Sequence, residues 1–206
     1  MSVMMIHELP GATAATMDGF KQAGLVDAVR HAPGFGGHWS GPSDTGYRII
    51  ELWDSRESWR AWFEASVAPI LPDPPPAEPT FVDLNDVITA AEATDPVYAT
   101  GEHVGTWAQL VTFRVQPGQD PQRLIDAIVA MEQPDSGLVR EMFLLDQKDP
   151  LSAYAFAVFR NEGLARARET DPRRDGGRAA LRATLADVVD GKLAFVDLDL
   201  VGELRG

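Results

Sequence analysis

The chain has no cysteine. Disulfides, thiolate nucleophiles and cysteine-based metal sites are therefore excluded. Histidine is scarce: His7, His31, His38 and His103 are the whole set of 4. No two of them stand at the i, i+3 or i+4 spacing that one helix needs to present two metal ligands. Lysine is limited to Lys21, Lys148 and Lys192, so most basic charge is arginine. Positive charge as a whole is outnumbered, 18 Lys and Arg against 31 Asp and Glu, for a formal net charge of −13. Such a surface repels a phosphate backbone and an anionic bilayer, so neither nucleic acid nor a membrane is an expected partner. No apolar run approaches the roughly 20 residues that span a bilayer. The start, Met1-Ser2-Val3-Met4-Met5-Ile6-His7-Glu8, lacks the basic region and long apolar core of a signal peptide. A cytoplasmic protein is expected, and arginine-rich, Ala- and Gly-rich usage suggests a GC-rich bacterial genome. There is no phosphate-binding loop, no Gly-x-Gly-x-x-Gly before a helix and no Gly-x-Ser-x-Gly elbow.

What the chain does have is repetition. Thr80-Phe81-Val82-Asp83-Leu84 returns as Ala194-Phe195-Val196-Asp197-Leu198, Leu9-Pro10-Gly11 as Gln116-Pro117-Gly118, and the Tyr47–Trp53 strand as Ala153–Phe159. The offsets lie between 106 and 114 residues. That period is too long for a solenoid and suits two tandem small domains. A chain of 206 residues has room for both.

The order of elements repeats as well. Residues 2–9 read as a strand ended by Pro10-Gly11, and 13–32 as a helix stopped by Pro33-Gly34. Residues 35–40 and 47–53 read as a hairpin around the turn cluster 41–46. Ser55 or Asp54 caps a second helix carrying Trp59, Trp62, Phe63, Val67 and Ile70, which the proline run 72–76 ends. Residues 81–88 complete the unit. After a small, polar connection over 89–102 come strand 106–116, helix 121–132, strands 138–146 and 151–159, a helical region 162–191 broken at 171–177, and strand 193–200. Each half is β-α-β-β-α-β, the split βαβ or ferredoxin-like unit of the α+β class. The predicted division is unit 1 over 1–90, a linker over 91–103 and unit 2 over 104–206.

Three segments carry a family resemblance: Pro33-Gly34-Phe35-Gly36-Gly37-His38, Gly46-Tyr47-Arg48-Ile49-Ile50-Glu51-Leu52-Trp53-Asp54-Ser55 and Trp59-Arg60-Ala61-Trp62-Phe63. Together they resemble the dimeric α/β-barrel superfamily, in its antibiotic-biosynthesis-monooxygenase-type branch. The resemblance covers residues 1–90, and the second half joins it through the internal repeat. It implies two ferredoxin-like units packed sheet to sheet as an intramolecular pseudo-dimer, with further homo-oligomerisation left open, and a small-molecule site between each sheet and its helices. It also implies a choice of chemistries. In the haem-degrading relatives a Trp stands nine residues after the signature Trp, as Trp62 does after Trp53. The iron-ligating His expected ten residues further on is Pro72 here, residues 2–9 hold no Asn, and the last histidine is His103. Neither haem degradation nor haem binding of the chlorite-dismutase type is expected.

Cofactor-independent oxygenation of a small aromatic or polyketide-type compound is the sharpest functional expectation, with no cofactor and no metal. Its substrate is deprotonated, and the resulting carbanion passes an electron to O2. That chemistry needs a base near neutrality and an aromatic-lined site. His38 is the first expected base and His7 the second. Trp39, Tyr47 and Trp62 are expected to hold the ring, and Glu51 to fix the His tautomer. A metal set of His7, His38 and Glu51 across neighbouring strands is the competing use of the same residues, and pairing of Glu51 with Arg48 or Arg60 the plain one. The alternatives at the level of function are a non-oxidative cyclase or isomerase and a non-catalytic binding or stress-related module. Tyr47, Ile49, Glu51 and Trp53 share one face of their strand, but alternation does not say which face meets the helices. In unit 2, Phe159 replaces Trp53, Ala157 replaces Glu51 and Arg168 replaces Trp62. That unit is expected either to be a structural partner or to enclose a hollow lined by Ala153, Ala155 and Ala157.

Overall fold

Alternating apolar and polar residues dictate strands, and the structure places them where the pattern does. A computed structural model describes residues 2–71, 78–92, 105–133 and 135–205. The proline run at 72–76, including Pro72, and the connection over 93–104, including His103, lie outside the described residues. The chain divides into two compact units, one reaching to Leu84 and taking in the tail from Leu200, the other holding Gly105 to Asp199.

The first unit contains β1 (Val3–Pro10), α1 (Ala14–Gln22), α2 (Leu25–Arg30), β2 (Phe35–Ser43), β3 (Gly46–Trp53) and α3 (Arg56–Trp62). A π turn, Phe63–Val67, and a 3-10 turn, Ala68–Ile70, extend α3. β4 (Thr80–Glu92) follows and continues into the stretch expected to be connection. β1 pairs antiparallel with both β3 and β4, and β3 with β2. The single helix expected over 13–32 is two, because Gly24 takes φ +81, a left-handed conformation that breaks the helical ladder. Ser55 caps α3 by accepting from the Ser58 N–H at 3.1 Å.

The second unit repeats this with β5 (Trp107–Val115), α4 (Gln122–Val129), β6 (Leu138–Asp146), β7 (Ser152–Phe159), α5 (Glu162–Thr170), α6 (Asp175–Val188) and β8 (Val189–Asp199). β5 pairs with β7 and β8, and β7 with β6. The break between α5 and α6 is a 3-10 turn over Pro172–Arg174, shorter than expected. Asn161 caps α5 through the Leu164 N–H at 2.9 Å, the counterpart of Ser55. Both units are ferredoxin-like, and the α+β class follows.

Register shows which face the helices cover. Val3, Met5 and Trp53 of the first sheet form one core with Val29 of α2 and Trp59 of α3. In the second, Phe143, Ala153 and Ala155 pack with Leu124, Ile125 and Val188. Two further features were not legible beforehand. A β-bulge interrupts β2 between Phe35 and Gly37, and another interrupts β6 between Leu138 and Arg140. A short strand, β9 (Gly202–Arg205), adds to the free edge of β2, so the tail belongs to the first unit and not to the second.

The β2–β3 hairpin turns through Asp44-Thr45, and Gly46 restarts the strand at φ +158. A Cβ there would lie 2.2 Å from the Leu9 carbonyl oxygen and 2.7 Å from the Gly11 nitrogen. Both obstacles are backbone, so Gly46→Ala is expected to cost about 3 kcal/mol or more. Urea unfolding followed by circular dichroism checks this; a midpoint within error of the parent refutes it.

Candidate functional site

The face of β3 that carries Tyr47, Ile49, Glu51 and Trp53 is the helix-covered one, since Trp53 and Ile49 belong to the core shared with α2 and α3. Cross-strand register puts Met5 opposite Glu51 on one side and His38 opposite Glu51 on the other. The bulge after Phe35 is what brings His38 into this position. With an extra residue in β2, Phe35 faces Trp53 and His38, three residues on, faces Glu51.

There the three side chains form a chain of hydrogen bonds. His38 Nδ1 lies 2.8 Å from Glu51 Oε1, and Trp53 Nε1 donates to Glu51 Oε2 at 2.9 Å. Glu51 is 2% exposed, and each of its carboxyl oxygens has a protein partner. The His38 side chain is 16% exposed. With Nδ1 committed to the carboxyl, Nε2 is the nitrogen that can exchange a proton. Arg48 bonds Glu8 instead of Glu51, and among the described residues Glu51 bonds His38 and Trp53 and not an arginine.

Trp62 joins the group from the end of α3, its ring 5.5 Å from that of Trp53. Its Nε1 is buried with no hydrogen-bond partner among the described residues. Tyr47 is buried on the same face, but four residues along β3 from Glu51, about 13 Å at strand rise. His7 is buried on this face too, opposite Ile49. β3 separates it from β2, so His7 and His38 are not on neighbouring strands. The His7–His38–Glu51 metal set therefore fails to assemble, and among the described residues no group of three or more His, Asp or Glu side chains is placed to hold a metal ion. Trp39 is also misplaced by the expectation. It lies opposite Ile50, on the other face of the sheet from His38, and is fully buried there. Adjacent residues of a strand point to opposite sides, so Trp39 cannot share a ring with His38.

Trp53→Phe tests the chain of bonds. It keeps the ring packing and removes the donor to buried Glu51 Oε2, with an expected loss of about 1–3 kcal/mol. Thermal unfolding measures it, and an unchanged midpoint would mean that Glu51 does not depend on Trp53.

The second unit holds a polar group that the sequence reading missed. Leu138 faces Phe159 and, after the second bulge, Glu141 faces Ala157. Glu141 thus occupies the place of His38. Arg168 of α5 lies 3.6 Å from Glu141 Oε2, bonds Glu132, and sits 5.2 Å above the Phe159 ring. Arg174 bonds Glu132 Oε1 at 3.2 Å and the Met131 carbonyl at 3.2 Å. Burial pushes the Glu141 carboxyl up to about 7; Arg168 opposes the rise and Glu132 adds to it. The unit has therefore not lost its polar residues, as its Ala-rich β7 implied. The expected hollow along that strand is partly filled, because Phe113 stands opposite Ala153 and Phe143 opposite Ala155. The missed signal was the spacing itself: Leu138 to Glu141 copies Phe35 to His38.

No helix among the described residues is long and apolar enough to cross a membrane. No family model and no curated protein matches the chain in sequence. Solved structures do match its fold. A "putative monooxygenase" from Fusobacterium nucleatum superposes with TM-score 0.68 at 12% identity, over 99% of this chain and 94% of that one. Another from Lactobacillus acidophilus gives 0.64 at 14% identity, over 99% and 96%. An "anthrone oxidase-like protein" gives 0.52 at 14% identity, over 99% and 92%. At such identities the likeness is one of fold. By fold, the chain is similar to these proteins along nearly its whole length.

Proposed function

We propose that the protein is a cofactor-independent monooxygenase acting on a small aromatic or polyketide-type compound, with His38 as general base. The observation that carries this reading is the buried Trp53–Glu51–His38 chain beside the Trp62 ring. The naming of fold neighbours as monooxygenases and as anthrone oxidase-like agrees with it.

The chemistry follows from the proton bookkeeping. For an anthrone, His38 Nε2 takes a proton from the activated CH2. Glu51 accepts from Nδ1–H and stabilises the imidazolium that forms, while Trp53 fixes the carboxyl. The carbanion passes one electron to O2, the resulting radical pair combines at carbon to a peroxide anion, and that anion takes the proton back from His38 Nε2–H to give the hydroperoxide. Loss of water leaves the quinone, so one O2 is consumed, one oxygen atom enters the product and the other leaves as water. Trp62 supplies a flat apolar wall for the ring, with Nε1–H as a donor to a ring oxygen. His7 is the second basic group on this face, and Tyr47 lies at its far end.

The test is oxygen uptake with an anthrone or 1-naphthol, with products followed by mass spectrometry. Uptake with a product heavier by oxygen supports the reading. Turnover that proceeds equally under nitrogen identifies a cyclase or isomerase and overturns it. A rise in melting temperature with ligand and no product identifies a binding module.

A further inference from the structure

We propose that the second unit holds a binding site of its own for a small hydroxyl-bearing aromatic, whose O–H donates to Glu141 Oε2. This goes beyond the reading given for His38 and stands independently of it. Three observations converge. Glu141 has the position in β6 that His38 has in β2, three residues after the start of a strand and just past a bulge. It is 5% exposed, yet its Oε2 has no hydrogen-bond partner among the described residues. A buried oxygen left without a donor is costly, and such groups are normally satisfied. Across the sheet stands Ala157, where the first unit has Glu51. The group that satisfies His38 in one unit has no counterpart in the other.

The surroundings define what would satisfy Oε2. The guanidinium of Arg168, 3.6 Å away, faces it at ion-pair distance. An oxygen turned toward a cation is an acceptor, so the missing group is a donor. Glu132 and Arg174 are the other charged groups of the cluster, and they are bonded to each other. The frame around it is aromatic and aliphatic: Trp107, Phe159 and Leu138 form one cluster with Ala157 and Ala165, and the Arg166 guanidinium caps the Trp107 ring at 4.9 Å. A donor presented from an apolar, aromatic frame describes a phenol or naphthol better than a sugar or a peptide.

Isothermal titration of the full-length protein with 1-naphthol, under nitrogen so that nothing turns over, tests this. Wild type and His38→Ala are both expected to bind at the second unit. Glu141→Ala is expected to weaken that binding by about tenfold or more, and Glu141→Gln, which keeps an acceptor oxygen, by less. Ala157→Leu adds bulk directly across the strand pair from Glu141 and is expected to abolish it, which keeps the test decisive if Glu141→Ala fails to fold. The same isotherm in wild type and in folded Glu141→Ala or Ala157→Leu would overturn the proposal. If His38→Ala abolishes all binding, the only site is in the first unit and the proposal falls as well. Failure of the His38 mechanism would appear in oxygen uptake and leave these isotherms untouched.

Discussion

His38→Ala is expected to slow oxygen uptake by about two orders of magnitude or more, the usual contribution of a positioned general base. Replacement by alanine also strips Glu51 of one partner in a site where the carboxyl is 2% exposed. A structural loss of about 1–3 kcal/mol would accompany the catalytic one, and the two have to be separated. His38→Gln does this. Its side-chain N–H can still donate to Glu51 Oε1, but the amide cannot take a proton. Stability should return toward that of the parent while kcat stays low. If the glutamine variant turns over at the parental rate, His38 serves only to hold Glu51, and the base is elsewhere on the same face. His7 would then be the first residue to change.

Glu141→Gln is expected to alter the pH dependence of stability. In the folded protein this carboxyl titrates near 7, because burial outweighs the nearby Arg168; unfolded, it titrates near the ordinary glutamate value of about 4.3. The folded state therefore holds the proton more tightly. Wild type loses stability from this group as pH rises through that window, and the whole penalty is present above about 7. Glutamine carries no such penalty. The stability difference between variant and parent should shift in the variant's favour by on the order of 3 kcal/mol between pH 4 and pH 8. Urea unfolding at the two pH values measures it. A difference that does not change with pH would show that Glu141 titrates normally, and that Arg168 compensates its burial fully.

The strands, the doubled order of elements and the ferredoxin-like class were written locally. Alternation in Tyr47–Trp53 and Ala153–Phe159, the cap at Ser55, and the glycine-marked turns act over a few residues, and a few residues suffice to read them. The same alternation placed Glu51 and Trp53 on one face. It could not say which face lies beneath the helices. That choice follows from Val29 and Trp59 packing on Val3, Met5 and Trp53, contacts between segments far apart in the chain. Trp39 was misjudged because sequence proximity to His38 was taken for spatial proximity, while a strand turns neighbours to opposite sides.

Register is the quantity that only the tertiary structure decided. The bulge after Phe35 adds one residue to one strand, and without it the residue opposite Glu51 would not be His38. The same device after Leu138 carries Glu141 to the matching place in the second unit. The sequence by itself determined two copies of one fold and supplied the histidine, the carboxylates and the tryptophans. Which of them meet was settled by strand pairing, because a shift of one residue reverses every side chain and no local pattern records it.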